Sequence, residues 1–465
     1  MSDSEEFDLV IEGGTVIDEH NERALDVYVR NGQIAALTEP NERLAARHTL
    51  EARGLAVLPG MIDAHTHFRT WSKHSDTFGE MSDAAAAGGI TTVAGFVMGM
   101  NAEGTTLASR VRECLAEASS TSPIDFAFHA AIADEEHTLD ELSEMIDLGV
   151  TSFKMFMINR ARRMMVDDGF LLTAMKRISD LGGLPMVHAE LEDLSMALAA
   201  EARTDRELTS VQRFVAARPT WLEAEATRRA IQVAKQADVP LYVVHVTCED
   251  ALNEIRRARQ QGLTVFAETC PQYLSLTDDA MSRQGGLVKV APPLRSERDR
   301  QTLVDAVLNG EIDVVSSDHA PYTRQVKTDA TTDFLDIPVG MPGTQTLVGV
   351  TWKVLSEAGG SPHDLVRVLA ATPARVFGLT GKGRIDVGSD ADITLVDFTD
   401  TTTVSVDDLH GPAGYSAYEG WRLPLRIVET LQRGESVLKN DAVRTNDVGR
   451  FISREPHRGG TEARR

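Results

Sequence analysis

Cysteine is scarce in this chain: 465 residues carry three, Cys114, Cys248 and Cys270, widely spaced and with no C-x-x-C pair. That excludes a cysteine zinc site of the usual spacing and fits buried thiols in a reducing compartment. Long apolar runs are missing too. No window approaches the roughly 18 apolar residues that a membrane span needs, so no membrane partner is expected. Basic residues are in deficit, 47 Lys and Arg against 70 Asp and Glu, for a formal charge of −23. A surface of that sign repels phosphate backbones, so no nucleic-acid partner is expected either. The start, Met1-Ser-Asp-Ser-Glu-Glu6, has no positive segment leading into an apolar run and does not read as a secretory signal, which predicts a cytoplasmic protein.

What is present is the composition of a soluble globular chain, 42% hydrophobic and 25% charged. The length admits two or three domains, or one α/β barrel with a small appendage. A rhythm along the chain chooses between them: eight apolar, strand-like runs at 55–63, 92–97, 126–132, 151–157, 184–188, 240–246, 263–268 and 313–317. The segments between them, such as 139–148, 221–237 and 249–261, place apolar residues at helical spacing, so each can cover one face of a parallel sheet. Eight such units in series predict an α/β fold, a closed (β/α)8 TIM barrel.

The flanks have a different texture. Phe7-Asp-Leu-Val-Ile-Glu12 and Ala391-Asp-Ile-Thr-Leu-Val-Asp397 are short alternating runs punctuated by Gly and Asp. The simplest packing is one small β-sandwich domain built from both chain ends. The expected division is 1–58 and 383–445 for the two parts of the sandwich, 59–382 for the barrel and 446–465 for a C-terminal tail, disordered from 455 onward.

Candidate chemistry begins at Asp63-Ala-His65-Thr-His67, where strand alternation puts both imidazoles on one side. An isolated H-x-H is as readily two ordinary histidines. Its position decides, because active sites of such barrels gather at the C-terminal strand ends. Lys154 then falls on strand 4, His188 on strand 5, His245 on strand 6 and Asp318 on strand 8, each in or just after an apolar run. Burying any one of these is costly unless it is paired or metal-bound, and six sharing that cost at one barrel mouth point to a metal site. A protonated lysine repels cations. A desolvated one can add CO2, and the resulting carbamate could bridge two ions; the alternative is Lys154 salt-bridged to Asp318 beside a single metal. With two ions, a bridging hydroxide is the expected nucleophile, and Asp318 the catalytic group that takes its proton and passes it to the leaving nitrogen.

Those six positions, in that order, resemble the amidohydrolase superfamily, and the chain from about residue 7 to 439 is similar to its cyclic amidase branch. The closest likeness is to hydantoinases and dihydropyrimidinases, through Ala87-Gly-Gly-Ile-Thr-Thr92, Asp125-Phe-Ala-Phe-His129, Ser152-Phe-Lys-Met-Phe-Met157, Val187-His-Ala-Glu190, Glu268-Thr-Cys-Pro-Gln-Tyr-Leu274, Ala291-Pro-Pro-Leu-Arg295 and Ile337-Pro-Val-Gly-Met-Pro-Gly343. The resemblance implies two divalent metal ions, usually zinc, held by His65, His67, His188, His245, Asp318 and a carboxylated Lys154 (N6-carboxylysine). It also implies ring opening of a small cyclic amide such as a hydantoin, a dihydropyrimidine or a related ureide or imide, in a homo-oligomer, a tetramer or dimer.

Departures bear on the substrate. Hydantoinases carry a tyrosine five residues after the lysine, an oxyanion donor, where this chain has Asn159; losing such a donor costs on the order of 3 kcal/mol unless Asn159 or the metal replaces it. Allantoinase-like and dihydroorotase-like members also lack that tyrosine. Arg69 stands where dihydroorotases grip a substrate carboxylate, though a rim salt bridge is an equal reading, and Asp318-His-Ala-Pro-Tyr322 through Lys327 resembles their strand 8 motif. Tyr322 replaces that family's histidine, and Val97-Met-Gly-Met-Asn101 departs from its Met-Pro-Asn. The basic run Asn159-Arg-Ala-Arg-Arg163 either attracts an anion or is a solvated loop. Ala291 and Val339 are expected to meet a ring through backbone groups alone. Alternatives to a hydantoinase-like enzyme are therefore an allantoinase or dihydroorotase, an open-chain deacetylase of the same superfamily, and a non-catalytic scaffold relative.

Overall fold

The computed structural model of the chain describes residues 6–40, 42–69, 75–98, 105–135, 137–329, 331–444 and 449–456. Eight parallel strands form the barrel wall: barrel strand 1 is Met61–Thr66, strand 2 Ile90–Met98, strand 3 Asp125–Ile132 and strand 4 Ser152–Phe156. Strand 5 is Leu184–His188, strand 6 Leu241–Val243, strand 7 Val265–Thr269 and strand 8 Val314–Val315. The helices expected between them are present as Thr138–Asp147, Thr220–Ala237 and Glu249–Gln260, each burying its apolar stripe on the sheet. Inside the barrel, Ile62, Ala94, Phe96, Met186, Tyr242 and Phe266 pack into one cluster with Phe377 and Leu379, which follow strand 8 and stop the barrel floor.

Strands 1 and 8 are joined mainly by side chains. The Asp63 carboxylate accepts hydrogen bonds from the Ser317 amide at 3.0 Å and its hydroxyl at 2.5 Å, and the His67 amide donates to the His319 carbonyl at 2.7 Å. Strand 8 is short because Asp318 turns away at φ 49°, so these bonds replace the missing ladder.

One expected strand is divided in two. The run 55–63, expected as a single barrel strand, splits: Ala56–Pro59 pairs antiparallel with Ile393–Asp397 and parallel with Thr15–Ile17 in another sheet, and only Met61–Thr66 enters the barrel. The changeover is at Gly60, whose hydrogen leaves room that a Cβ, 2.1 Å from the Thr91 hydroxyl oxygen, could not share. The apolar run is continuous because both halves are buried, each in a different core.

Both chain ends build the β-sandwich. One sheet orders Gln33–Thr38, Asp26–Arg30, Phe7–Glu12 and Ala46–Glu51. The other interleaves Glu435–Lys439, Arg426–Gln432 and Ile393–Asp397 with Ala56–Pro59, Thr15–Ile17 and Glu22–Ala24. Ile11, Val27, Val57, Ile393 and Leu431 meet between the sheets. A buried ion cluster ties sandwich to barrel: the Lys382 ammonium contacts Asp390 at 2.8 Å, Asp392 at 2.5 Å and Asp125 at the start of strand 3. Those three carboxylates could have suggested a metal site, but the lysine fills it.

Within the stretch expected as a C-terminal tail, residues 450–454 are docked on the barrel. Phe126 donates to the Arg450 carbonyl at 3.0 Å, Ile452 donates back to Phe126 at 2.7 Å, and the Phe451 ring packs on Phe126 and Phe128. Arg454 is buried, its guanidinium bonded to the Ser152 hydroxyl at 2.9 Å and to the Phe128 carbonyl. Polar composition disguised this segment, since its hold on the barrel is largely backbone pairing. Of the expected disordered stretch, residues 457–465 lie outside the described residues. Phe451→Ala is expected to lower the unfolding free energy by about 2 kcal/mol in urea titration, a fraction of the loss for a fully buried ring. An unchanged midpoint would show that the segment merely rests on the barrel.

Candidate metal centre

The strand ends deliver their side chains to one buried mouth. His65 and His67 share a face because they are two apart at the end of strand 1. Lys154 comes from strand 4, His188 from the end of strand 5, and His245 and Asp318 from the turns just after strands 6 and 8. The Nε2 atoms of His65 and His67 are 3.2 Å apart, and Asp318 Oδ1 lies 3.2 Å from the first and 3.3 Å from the second. Lys154 Nζ is 2.9 Å from His65 Nε2, and the His245 ring sits 4.5 Å from that of His188, centroid to centroid. His245 and Asp318 take φ values of 38° and 49°, left-handed conformations that cost about 1–3 kcal/mol each in non-glycine residues and cluster at functional sites.

Electrostatics agree with a cation-binding role. Burial pushes His65, His67 and His245 below the ordinary imidazole range, which keeps them neutral and able to donate lone pairs. Burial also lowers Lys154, to about 8, against the pull of Asp318 and Glu268. For Asp318, burial alone would raise the carboxyl, but its contacts with His65, His67 and His245, among them a hydrogen bond from the His67 ring, outweigh burial and lower it. Neutral imidazoles around one carboxylate, with His65, His67 and Asp318 presenting ligand atoms within 4.8 Å of one another, fit a divalent ion of the zinc type.

Around this set lies a ring of orienting groups that motif reading passed over. Glu268 Oε1 accepts from His65 Nδ1 at 2.7 Å and from the His245 amide at 3.0 Å, while Oε2 accepts from the Tyr242 hydroxyl at 2.8 Å. This puts the His65 proton on Nδ1 and leaves Nε2 as the donor atom facing the centre. Glu190 holds His188 Nε2 at 2.8 Å and is itself gripped by Arg218 at 2.7 and 2.8 Å. Burial would raise Glu190, yet Arg218 and His188 bring it well below the usual carboxylate range. His319 Nδ1 accepts from the Gly343 and Thr344 amides at 3.1 and 3.3 Å, and its Nε2 meets Asp76 at 3.0 Å, anchoring the turn that carries Asp318. Glu268 bears the same signal as the ligands, a charge in the apolar run Val265–Thr269, and could have been found by it.

The expected substrate contacts are less concentrated. Arg69 pairs with Glu117 at 3.0 Å with its side chain 61% exposed, so the rim salt bridge is the arrangement found. Asn159, at φ 75°, donates its amide to Glu192 at 2.7 Å and starts the turn Arg160–Arg162. The basic run after it is paired: Arg160 grips Asp193 through two bonds of 2.6 and 3.2 Å, Arg163 faces Glu135 at 3.5 Å and Arg162 bonds Tyr322. Ala291 and Val339 are half-buried. In Val97–Asn101, positions 99–101 lie outside the described residues.

The sequence model of the amidohydrolase family matches residues 56–437, which takes in every one of these groups. The chain belongs to that family. This amidohydrolase is 37% identical over 442 residues to a D-hydantoinase of Streptomyces coelicolor, covering 92% of this chain and 94% of that one. It is 35% identical over 461 residues to an allantoinase of Rubrobacter xylanophilus, at 97% and 99% coverage. Among solved structures, a D-hydantoinase superposes with a TM-score of 0.92 at 33% identity, covering 97% of this chain and 100% of that one. The dihydropyrimidinase from Brevibacillus agri NCHU1002 follows at 0.91 and 32%, with 96% and 98% covered. The likeness read from the motifs, to hydantoinases, dihydropyrimidinases and allantoinases, is borne out.

Removing the acceptor behind His65 is expected to weaken the centre while leaving its ligands intact. Glu268→Gln should reduce metal affinity by about 10–100-fold in chelator competition, the usual effect of losing an orienting partner. Affinity equal to the parent would mean that His65 holds its orientation by packing alone.

Proposed function

We propose that this chain is a binuclear, metal-dependent hydrolase that opens the amide bond of a small, neutral cyclic amide: a hydantoin, a dihydropyrimidine or a related ureide or imide. The observation that carries the reading is the convergence of four imidazoles, Lys154 and Asp318 from barrel strands 1, 4, 5, 6 and 8 on one buried mouth. A scaffold protein without catalysis has no use for so costly a set.

His65, His67, His188, His245 and Asp318 would hold two ions, most simply zinc, together with Lys154 carboxylated on Nζ. With its amine lowered to about 8, Lys154 is partly unprotonated near neutral pH, and that form adds CO2 to give a carbamate with release of a proton. When bound, the metals supply a water acidified to a pKa of about 7 and polarise the amide carbonyl. Asp318, lowered by its contacts with His67 and the neighbouring imidazoles, takes the water's proton at a carboxylate oxygen and delivers it to the departing ring nitrogen. Backbone groups at Ala291 and Val339 would hold the ring edge, and Asn159 lies on the loop leaving strand 4, where an oxyanion donor is needed.

Neutral rings are favoured because Arg69 is engaged by Glu117 rather than turned to a ligand. A dihydroorotase reading would need that pair to break. We further propose a cytoplasmic homo-oligomer: no described helix is long and apolar enough to cross a membrane, and Leu194, Met196 and Trp221 expose apolar surface that a second copy would cover. Sedimentation equilibrium should return a mass of at least twice 50.7 kDa; a monomer would sink this part.

The test of function is ring opening by zinc-loaded enzyme on hydantoin, 5-substituted hydantoins, dihydrouracil, allantoin, a cyclic imide and dihydroorotate. Turnover of a neutral ring well above dihydroorotate is expected. Activity confined to open-chain amides would refute the cyclic assignment, and a preference for dihydroorotate would hand Arg69 a substrate role. On the best ring, Lys154→Ala should lose roughly a thousandfold in kcat and recover partly with added short-chain carboxylic acid, which would supply the carboxylate oxygens that a carbamate on Lys154 would offer. Full activity in that variant would rule out the carbamate.

A further inference from the structure

Two lysines with no part in the metal centre are buried beside it. Lys289 is 1% exposed and Lys327 fully buried. An ammonium group has three N–H donors, and here all six go to backbone carbonyls. Lys289 Nζ donates to Phe334, Leu335 and Ile337 at 2.6, 3.0 and 2.6 Å. Lys327 Nζ donates to Lys289, Pro338 and Gly340 at 2.9, 2.8 and 2.6 Å. The Phe214 and Phe334 rings close over the first ammonium at 4.6 and 5.3 Å. Among the described residues no carboxylate pairs with either. The segment 334–340 is thus wrapped round two internal amines much as an ion-binding loop is wrapped round a metal. Burial drives both amines toward neutrality, Lys289 to about 7 with Arg218 adding to the push and Asp336 and Asp333 opposing it, and Lys289 adds to the pressure on Lys327.

The clamp holds a particular place. Gly340 donates its amide to the Lys289 carbonyl at 2.9 Å, and Ala320, two residues past Asp318, donates to the Met341 carbonyl at 3.1 Å. The ribbon at 340–341 therefore lies between the chain leading to Ala291 and the turn that carries the catalytic carboxylate. A Cβ on Gly340 would come within 2.3 Å of the Ala320 carbonyl oxygen, so the approach is close. Val339 sits between Pro338 and Gly340, whose carbonyls are two of the three that Lys327 holds, and Ala291 is two residues beyond Lys289. A ring edge recognised by backbone groups depends for its accuracy on whatever fixes that backbone.

We propose that Lys289 and Lys327 are positioning residues that set the backbone edge at Ala291 and Val339 against the centre and so determine how well a ring fits, a role that rests on the cyclic-amide reading above. The variants are Lys289→Met and Lys327→Met, which keep length and remove the donors. In both, bound metal should match the parent while KM on the best ring rises about tenfold, with a smaller change in kcat, as expected for one misplaced hydrogen bond to substrate. Hydrogen exchange at the Gly340 amide should accelerate, with the amides of strands 5 and 6 unchanged. KM and kcat both within twofold of the parent in folded variants would overturn the proposal, whatever their melting temperature. If neither variant folds, the unaltered enzyme decides: a Gly340 amide that exchanges as fast as exposed backbone overturns it, and a strongly protected one supports it. Failure of the unaltered enzyme to open any ring would instead fell the functional reading, with the exchange result still judging the clamp.

Discussion

The Glu268 carboxylate is bonded at once to the His65 ring, the His245 amide and the Tyr242 hydroxyl, and through these it links strands 1, 6 and 7 across the barrel mouth. Burial raises this group to about 7 against the Tyr242 hydroxyl, Lys154 and the His245 amide. A carboxyl so deeply desolvated survives only with every lone pair occupied, and the groups that occupy them are the ones the site must orient. The strained turn at His245 is held by the same oxygen that fixes the proton on His65. Geometry and electrostatics of the centre therefore rest on one buried acceptor.

Elsewhere the fold repeats this economy with other buried charges. Asp63 joins strands 1 and 8 where the backbone ladder is thin, Lys382 joins the sandwich to strand 3, and Lys289 and Lys327 gather the ribbon beside Asp318. Each charge is fully partnered, as it must be at such depth. The apolar floor of Phe377 and Leu379 lies at the opposite end from the polar mouth, so catalysis and packing occupy separate layers of one barrel.

The candidate ligand positions stood out in the chain because a charged or imidazole side chain at the end of an apolar strand is an anomaly with a known cost. His65, His67, Lys154, His188, His245 and Asp318 all show it. So does Glu268, whose carboxylate bonds the His65 ring and the His245 amide. The eight-strand rhythm was equally plain, since burial on both faces leaves a run of apolar residues. It could not show that residues 55–63 cross from one core to another at Gly60, because both cores demand the same residue types. Nor could composition show that the chain at 450 and 452 pairs with Phe126, because pairing through N–H and C=O leaves no mark on residue identity.

By itself the sequence determined the fold class, the family and which polar side chains end the barrel strands, all consequences of local pattern and of the cost of burying polar groups. Only the tertiary structure decided which partner each charge takes. Arg69 is committed to Glu117, the arginines at 160–163 to Asp193, Tyr322 and Glu135, and two lysines to carbonyls up to 48 residues away. Charge pairing acts over a few ångströms in space with no regard to separation along the chain, so it is settled when the barrel closes and not before.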